Sequence, residues 1–393
     1  MSIKEFSWEN PAGRSIYGVH WLHPAPKAAI LLVHGLGEHC CRYEHVAQFF
    51  HERAVALTGF DLPGFGQTAG RRGYAQGLDE MLDTIAQAQE RLEAQYPGIP
   101  VFLYGHSMGG NLVLNYLLRR QPELMGLIAS GPWIRLPKPP PGWLLAVAGL
   151  IKRVFPYFDQ DNGLQAAYLS RDEAVVTAYQ RDPLVHRRIS AQLALEMVEA
   201  AAWLDRFAGE MPVPTLLLHG AEDRITSPAG TRDFAARVSG SVELELFPKL
   251  FHEIHNEPEK EQVLQRMADW LERQLTAGEP PAEPKDAPRN ARAFILGLPD
   301  RIDPGRIAGV QTVFHFDLDG PGGGQFTLQV DDGKAEVLEG LQGTPRCTVS
   351  GKDEDVMALV DGNVNPLMAI LSGKIKISDP GELLKYAKVF GLM

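Results

Sequence analysis

Cysteine is scarce in this chain, with three residues in a length of 393. Two of them, Cys40 and Cys41, are adjacent, an arrangement that does not favour a disulfide between them. The sequence therefore excludes the disulfide framework of small secreted proteins. It also lacks the clustered ligand spacing of a metal site, so we expect no metal and no redox cofactor.

Positive charge is also in short supply. The chain has 49 acidic and 38 basic side chains, which gives a formal net charge of -11. A nucleic-acid binder carries a basic stripe that neutralises phosphates, and none is present, so we expect no nucleic-acid partner. No apolar run reaches membrane-spanning length, and the first residues lack the apolar core of a secretory signal. We expect a cytoplasmic protein.

The sequence does have short apolar runs separated by stretches of helix length. This rhythm is typical of buried parallel strands, and it predicts an α/β fold with helices on both faces of an open sheet. Residues 79–92 and 110–118 are predicted as two of the helices. The predicted strands are residues 28–33, 54–58, 101–104, 126–129, 215–218 and 242–247.

The rhythm stops between about residues 131 and 210. No strand is evident there, and the pattern predicts a helical cap inserted over the carboxyl end of the sheet. One helix of this insert has two readings, a core-facing helix or a lid surface that contacts lipid. Its apolar residues are Trp143, Leu144, Val147, Leu150, Ile151, Val154 and Phe155.

Residues 276–290 form a proline-rich stretch without large apolar side chains, which predicts a semi-extended linker. The domain that precedes it is predicted to cover residues 1–275. Beyond the linker, over residues 291–393, the apolar period changes to two, as in residues 314–318 and 326–330. That period indicates half-buried antiparallel strands. With helices expected at 353–361, 366–371 and 380–390, the second domain is predicted to be a small α+β fold.

The strongest chemical motif lies at residues 105–109, which read GHSMG. A predicted strand ends just before it and a predicted helix begins just after it. This context is that of a nucleophile elbow, in which glycines allow the backbone to turn tightly around an exposed serine. We predict Ser107 as the nucleophile of an acyl-transfer reaction.

A serine hydroxyl needs a base, and the base needs an acid to orient it. In chain order after the serine, Asp223 follows the predicted strand 215–218 and His252 follows 242–247. We predict them as acid and base, with Glu222 and His255 as the rival acid and rival base. The backbone N–H groups of Leu36 and Met108 are predicted to bind the oxyanion. The remaining histidines near these motifs, namely His34, His106 and His219, are predicted to be structural.

Over residues 5–274 the sequence resembles the monoacylglycerol lipase and lysophospholipase group of serine aminopeptidase S33-like α/β-hydrolases. The matching segments are HGLGEH at 34–39, RY at 42–43, GHSMGG at 105–110, SRD at 170–172, DPL at 182–184 and HEIHNE at 252–257. The resemblance implies an α/β-hydrolase fold with an acyl tunnel under the cap. It also implies that Glu38, Arg42 and His255 contact the hydroxyls of a glycerol head group, although a structural salt bridge and a capping contact remain the alternative.

Two features depart from that group's pattern. Phe65 stands where many members have histidine, in a loop that does not bear on the predicted triad. The neighbouring Cys40 and Cys41 have no functional explanation in the sequence.

From residue 298 onward the sequence resembles sterol-carrier-type lipid-transfer domains. The matching segments are 313–318, 326–330, 347–350, 361–366 and 372–377. The resemblance implies an apolar tunnel for a fatty acyl or sterol-like lipid, and the alternative is an ordinary sheet core.

Together these patterns predict a serine carboxylic-ester hydrolase for monoacylglycerol-like lipids, fused to a lipid-holding module. The substrate partner is a lipid ester, and the cap is a candidate for peripheral membrane contact. A lysophospholipase and a lipid transacylase remain alternatives. A non-catalytic lipid carrier is disfavoured, because a pure binder does not need a triad, an elbow and an oxyanion loop together.

Overall fold

The computed structural model describes residues 1–155, 157–277, 290–302, 309–360 and 372–379, together with residues 307, 364, 369, 381 and 382. The chain forms two compact units, Met1–Gly278 and Glu279–Met393. Most of the predicted proline-rich linker lies outside the described residues. Its first two residues, 276 and 277, are helical, because the last helix of the first unit continues to Ala277.

The first unit contains one large sheet. Its strands, in chain order, are β1 Ser2–Glu9, β2 Ser15–Leu22, β3 Ala28–Val33, β4 Val55–Phe60, β5 Val101–His106, β6 Gly126–Ser130, β7 Asp159–Asp161, β8 Arg188–Ser190, β9 Thr215–Gly220 and β10 Val242–Phe247. Eight of them form the sheet in the order β1-β2-β4-β3-β5-β6-β9-β10. From β4 to β10 the neighbouring strands are parallel, as predicted, whereas β1–β2 and β2–β4 are antiparallel.

The central strands were predictable because every residue of β3, β4, β5, β6 and β9 is buried, which requires continuous apolar runs. The antiparallel β1 and β2 were not predicted. β1 lies at the sheet edge with most of its residues exposed, so its sequence mixes polar and apolar side chains.

Helices cover both faces of the sheet. They are α1 Glu44–His51, α2 Leu78–Gln95, α3 Met108–Arg120, α4 Gly142–Val154, α5 Glu173–Arg181, α6 Ala191–Leu204, α7 Pro228–Arg237 and α8 Lys260–Ala277, with short 3-10 helices at Cys40–Tyr43, Ala166–Tyr168 and Ile254–Asn256. One core lies between the sheet and α2, α3, α6 and α7, and a second lies between the sheet and α1 and α8. In α2, Met81, Ile85 and Leu92 are buried on one face, which is the spacing that made this helix predictable.

The cap insert contains α4, α5 and α6, as a helical insert requires, but the prediction that it has no strand is wrong. The three-residue strands β7 and β8 pair antiparallel. They have no apolar alternation to reveal them. Arg188 and Asp159 pair at 3.2 Å, and Arg187 and Asp161 at 2.9 Å, so charged cross-strand pairs accompany this short ladder.

Helix α4 exposes large apolar side chains. Trp143 is 69% exposed and Leu150 is 65% exposed, and Phe155, just after the helix, is 67% exposed. For these residues the core-facing interpretation is wrong, and contact of this surface with lipid stays a prediction. The side chains of Leu144 and Val154 lie outside the described set.

The second unit is built on a five-stranded sheet in the order β13-β12-β11-β14-β15. Its elements are α9 Ala291–Leu296, α10 Leu298–Arg301, β11 Gln311–Asp319, β12 Gly324–Asp331, β13 Lys334–Glu339, β14 Cys347–Lys352, α11 Asp353–Val360 and β15 Ile375–Ile377. The predicted alternation is confirmed where Phe316 and Phe326 face each other, buried, across β11 and β12.

The purely antiparallel expectation for this sheet is wrong, because β11 and β14 pair parallel. Side-chain alternation has the same period in both kinds of ladder, so the sequence could not distinguish them. The predicted helix at 353–361 corresponds to α11. Those predicted at 366–371 and 380–390 lie largely outside the described residues.

Candidate active site

Ser107 lies at a sharp turn between β5 and α3. Its backbone angles, φ 56° and ψ -117°, fall in a region that residues other than glycine rarely adopt. The Ser107 carbonyl accepts hydrogen bonds from the N–H groups of Asn111 and Trp133, both at 3.0 Å, which hold the turn in place. The loop on which the sequence placed the serine is therefore a strained elbow at the carboxyl end of the sheet.

The flanking glycines are required by packing. A Cβ atom on Gly109 would collide with the carbonyl oxygens of Val33 and His34, and one on Gly105 would collide with the backbone of Gly109. The helix can therefore approach β3 and β5 closely only if both positions lack a side chain. This close approach puts the start of α3 beside the loop that follows β3.

His252 lies beyond β10 and reaches the serine. Its Nε2 is 2.8 Å from Ser107 Oγ, and its Nδ1 is 2.7 Å from Asp223 Oδ2. A carboxylate only accepts hydrogen bonds, so Nδ1 donates to Asp223 and Nε2 is left to accept the serine proton. The His252 side chain is 1% exposed, and the backbone N–H of the next residue, Glu253, donates to Leu169 of the cap at 2.7 Å.

Asp223 follows β9, and both of its carboxylate oxygens accept hydrogen bonds. Its Oδ1 accepts from the N–H groups of Ile225 and Thr226, at 2.7 and 3.0 Å. Its Oδ2 accepts from the Thr226 hydroxyl at 2.9 Å and from His219 Nε2 at 3.0 Å, besides His252. Burial alone would raise the pKa of Asp223, but the two imidazoles and their hydrogen bonds hold it well below its ordinary value.

The same carboxylate changes the basicity of His252. Burial lowers the pKa of this imidazole, and the charge and hydrogen bond of Asp223 raise it, with a net shift upward from 6.5. Asp223 therefore both orients the ring and stabilises its protonated form.

The rival acid and rival base lie elsewhere. Glu222 is exposed, and the described residues show no hydrogen bond between it and His252 or His255. His255 is 1% exposed and lies edge-on to His106, with ring centroids 4.7 Å apart. His219 and Thr226 were not predicted to bind Asp223. The sequence could have indicated His219, because it lies next to the last residue of β9, four residues before the carboxylate.

The predicted oxyanion donors are positioned by the loop after β3 and by the first turn of α3. Neither the Leu36 nor the Met108 N–H donates to another protein group among the described residues. Leu36 lines the same cavity as Ser107. The loop after β3, residues 34–37, is the oxyanion loop. A hydrogen bond from the Gly35 N–H to Glu38 Oε1, at 2.7 Å, stabilises it.

The cavity beside Ser107 has a volume of about 560 Å³. Apolar side chains from the cap and from the sheet edge make up much of its wall, and Lys138 and Arg224 supply charge near it. Its lining residues also include Leu36, Trp133, Leu136, Pro137, Leu164, Tyr168, Ile225 and Thr226. Such a space fits an extended apolar group that ends at the serine.

Two of the three predicted head-group residues form an internal ion cluster with a third group. Arg42 donates to Glu253 through both terminal nitrogens, at 2.7 and 2.8 Å, and also pairs with Glu38. Glu38 Oε1 further accepts from the Tyr43 hydroxyl at 2.8 Å. Burial raises and Arg42 lowers the pKa of Glu38, which falls to about 2. This arrangement favours the salt-bridge alternative for Glu38 and Arg42, and the sequence did not predict Glu253 as their partner.

His255 differs from these two. Its ring stacks on Tyr43, with centroids 4.7 Å apart, and burial lowers its pKa well below 6.5. Neither ring nitrogen has a hydrogen-bond partner, and the hydroxyl of Tyr179 in the cap is also unpartnered and buried. The Tyr179 ring lies over the Arg42 guanidinium, 4.8 Å from its centroid. Two buried side chains beside the ion cluster, His255 and Tyr179, therefore have polar atoms without a hydrogen-bond partner.

The described ranges hold no cluster of three His, Cys, Asp or Glu side chains suited to a metal ion. Among the described helices, none has the length and apolarity needed to cross a membrane.

Comparison with known proteins adds a family to this geometry. Residues 24–259 match the serine aminopeptidase S33 family, and residues 295–391 match the SCP-2 sterol transfer family. A monoacylglycerol lipase of Mycolicibacterium smegmatis is 33% identical over 260 residues, which are 66% of this chain and 92% of that protein. An uncharacterised abhydrolase domain-containing protein of Dictyostelium discoideum is 34% identical over 253 residues, 64% of this chain but only 27% of that longer protein.

Among solved structures, the monoacylglycerol lipase of Paleococcus ferrophilus aligns with a TM-score of 0.60 and 30% identity, covering 70% of this chain and all of that one. A monoglyceride lipase variant from Saccharomyces cerevisiae aligns with a TM-score of 0.63 and 25% identity, over 70% of this chain and 96% of that one. The chain belongs to the serine aminopeptidase S33 family of α/β-hydrolases and carries, C-terminal to that fold, a domain of the SCP-2 sterol transfer family.

Proposed function

We propose that the chain hydrolyses monoacylglycerol-like lipid esters, releasing fatty acid and glycerol, through an acyl-enzyme on Ser107. The observation that carries this proposal is the continuous hydrogen-bonded series Ser107–His252–Asp223, at 2.8 and 2.7 Å, beside a largely apolar cavity. The substrate class is supported by the monoacylglycerol lipases to which the chain is similar.

In the first half-reaction, His252 Nε2 takes the proton of Ser107 as Oγ attacks the ester carbonyl. Negative charge develops on the carbonyl oxygen, and the free N–H groups of Leu36 and Met108 receive it. The imidazolium, stabilised by Asp223, then donates its proton to the departing glycerol oxygen. The proton transfers use pairs already within hydrogen-bonding distance, Ser107 with His252 and His252 with Asp223.

In the second half-reaction, water takes the place of glycerol. His252 removes a proton from that water, which attacks the acyl carbonyl, and the protonated ring returns the proton to Ser107 Oγ. The fatty acid then leaves from the cavity. No further group is needed to balance these steps.

For the head group, the proposal separates the predicted residues by their hydrogen bonding. Arg42 is already paired with both Glu38 and Glu253, and we assign Glu38 and Arg42 to bracing the oxyanion loop. His255 and Tyr179 have unpartnered polar atoms and are the candidates to bind glycerol hydroxyls. A polyol would satisfy these buried groups, whereas a simple aryl ester would leave them unsatisfied.

The proposal is tested by a panel of lipid esters of equal chain length, with the Ser107→Ala protein as control. The expected result is hydrolysis of monoacylglycerol by the wild type only. Phospholipase YtpA of Bacillus subtilis is 30% identical over 248 residues, so the panel includes a lysophospholipid. A clear preference for that substrate would replace monoacylglycerol as the proposed substrate.

We propose that the second unit holds an apolar lipid such as a fatty acid or a sterol. Its support is the match to the sterol transfer family. The described residues of this unit also line a cavity of about 460 Å³, in which Ile302, Ile307 and Ala335 stand beside the polar Gln329, Asp331, Lys334 and Glu336. Titration of a fluorescent fatty acid into the full Ser107→Ala chain tests it. Binding that excess unlabelled fatty acid fails to displace would contradict the proposal.

We also propose that the cap contacts lipid surfaces through α4. Trp143, Val147 and Leu150 recur along this helix at four- and three-residue spacing, and all three are exposed. Replacing Trp143 and Leu150 by Ala should reduce sedimentation with vesicles. Ile3→Ala, which removes an apolar side chain 53% exposed on β1, is the matched control. Equal losses for both would contradict a specific role of α4.

A further inference from the structure

His39 and Asp182 belong to segments that resemble the lipase group, yet the reaction proposed above uses neither. His39 follows the oxyanion loop closely, and Asp182 lies directly after α5 in the cap. The His39 side chain is buried, and its Nε2 lies 2.8 Å from Asp182 Oδ2. A carboxylate only accepts hydrogen bonds, so the imidazole donates. This bond joins the segment that carries the oxyanion loop to the cap.

The cap backbone also contacts the oxyanion loop itself. The His186 N–H donates to the Gly37 carbonyl at 3.0 Å. Gly37 has φ 82°, and a Cβ atom there would lie 2.8 Å from the His186 carbonyl oxygen. Glycine is therefore required at this position both by the left-handed backbone and by the close approach of the cap. The end of the oxyanion loop is thus attached to the cap by one backbone and one side-chain hydrogen bond.

The start of the oxyanion loop is attached to the core instead. His34 Nε2 accepts from the Leu62 N–H at 2.9 Å, and His34 Nδ1 donates to the Gly35 carbonyl at 2.8 Å. Leu36 lies between these attachments and those made by the cap, and its N–H is the donor assigned above to the oxyanion. The direction of this N–H therefore depends on the cap as well as on the core.

The cap segment that makes these contacts is itself held firmly. Asp182 Oδ1 accepts from the Leu184 N–H at 2.8 Å, which fixes the turn after α5. His186 Nε2 donates to the Gly64 carbonyl at 2.9 Å, which ties the other end of the turn to the core. Residues 182–186 therefore form a braced turn against which the oxyanion loop is held.

We propose that Asp182 is a positioning residue of the hydrolysis: through His39 it holds the end of the oxyanion loop, so that the Leu36 N–H stays directed at the developing oxyanion. In this role Asp182 neither contacts the reacting atoms nor moves a proton. It acts through geometry, because an oxyanion donor stabilises the transition state only when it points at the oxygen that becomes charged. It follows that this part of the cap has to stay docked during turnover. The inference rests on the proposed hydrolase function.

Asp182→Ala tests this role, and Asp161→Ala is the matched control. Asp161 also lies in the cap, and its Oδ1 accepts from the Gly163 N–H at 2.8 Å, which is the same local turn contact that Asp182 makes with Leu184. It also pairs with a basic side chain, Arg187, at 2.9 Å. That partner lies in the cap, whereas the partner of Asp182 lies beside the oxyanion loop.

Two measurements separate positioning from binding. The first is kcat and KM for a soluble p-nitrophenyl ester, where Asp182→Ala should lower kcat about tenfold, less than the loss of a whole oxyanion donor, and change KM by less than about twofold. The second is the Kd of a trifluoromethyl ketone of equal chain length. Ser107 Oγ adds to its carbonyl carbon, His252 takes the serine proton, and the carbonyl electron pair becomes an oxyanion. Its Kd should rise by the factor by which kcat/KM falls.

Two variants of His39 provide the rescue and cover the case in which Asp182→Ala fails to fold. His39→Leu removes the donor and should be as slow as Asp182→Ala. His39→Gln keeps a donor at about the reach of Nε2 and should recover most of the lost rate. The double variant His39→Leu/Asp182→Ala should be no slower than either single variant, because both residues act through one bond.

Three outcomes would overturn the proposal: a loss confined to KM, an equal loss for Asp161→Ala, or a His39→Gln protein as slow as His39→Leu. A wild type that hydrolyses no ester would contradict the proposed function instead. The Kd values of the ketone still decide the role of Asp182 in that case, because fluorine NMR measures the hemiketal on Ser107 without turnover.

Discussion

Arg42 and Glu253 form a two-pronged ion pair, with donor–acceptor distances of 2.7 and 2.8 Å, that joins the helix after the oxyanion loop to the residue that follows His252. The two residues are 211 positions apart in the chain, and both are almost fully buried. The two loops that carry opposite sides of the active site are therefore connected by charge as well as by packing.

This pair should contribute strongly to stability. Glu253→Gln keeps the shape but leaves a buried guanidinium partly unpaired, and we expect a loss of about 3 kcal/mol in the free energy of unfolding. Urea denaturation measures it. Glu243→Gln, which removes a carboxylate from a half-exposed cluster with Arg266 and Arg273, is the control and should cost less than about 1 kcal/mol. Similar small losses in both variants would contradict this assignment.

Ser107 should be the single site of reaction with a fluorophosphonate probe, because its Oγ lies 2.8 Å from His252 Nε2 beside the cavity, whereas Ser130, 3.0 Å from His106 Nδ1, is fully buried. Mass spectrometry should find one adduct on the wild type and none on Ser107→Ala. The variant should also lose on the order of 10³-fold or more in kcat. An adduct that persists in the variant would require a different nucleophile.

The pH dependence follows from the raised pKa of His252. The base must be neutral in the free enzyme, so activity is present above this pKa and is lost as the pH falls through it. Since burial lowers but Asp223 raises the pKa, with a net increase from 6.5, the acid limb of kcat/KM should have its midpoint above about pH 6.5. A pH–rate profile on a soluble ester measures it, and a midpoint clearly below 6.5 would show that another group controls the limb.

The head-group assignment is tested by removing polar atoms while keeping the rings. His255→Phe keeps the stack on Tyr43, and Tyr179→Phe removes only the hydroxyl. Each should raise KM for monoacylglycerol several-fold and leave KM for a p-nitrophenyl ester of equal chain length nearly unchanged. Equal changes for both esters would mean that these residues are structural.

Truncation after Ala277, the last residue of α8, tests why the two units share a chain. A tether sets an effective concentration near the millimolar range, so a lipid held by the second unit can reach Ser107 often. Turnover of short soluble esters should be almost unchanged, while turnover of dispersed long-chain ester should fall several-fold. The separate pieces mixed at micromolar concentration should not restore it. If both ester classes slow alike, the second unit instead stabilises the first.

The features that the sequence predicted best are those that depend on a local pattern of residues. The buried strands β3 to β6, the elbow at Ser107 and the order of Asp223 and His252 all follow from continuous apolar runs and the loops after them. β1 was missed because most of its residues are exposed and mix polar with apolar side chains, and β7 and β8 because each has three, largely polar, residues.

The arrangement of the ion cluster could not be predicted for a related reason. Glu38 and Arg42 are close in sequence, but Glu253 reaches Arg42 only through the folded sheet. A motif identifies which residues share a site. Which charged residues pair with each other depends on their distances in the folded chain. His219 and Thr226 differ from Glu253, because they lie four and three residues from Asp223 and bind it locally.

The backbone of Ser107, at φ 56° and ψ -117°, places opposite demands on one position. Stability of the fold favours glycine there, whereas turnover requires the serine hydroxyl. Its conformation costs about 1–3 kcal/mol for any side-chain-bearing residue, and glycine would relieve it. Screening variants of this chain for heat resistance alone would therefore enrich an inert Ser107→Gly protein. A search for a more durable form of the chain has to score product formation in the same round.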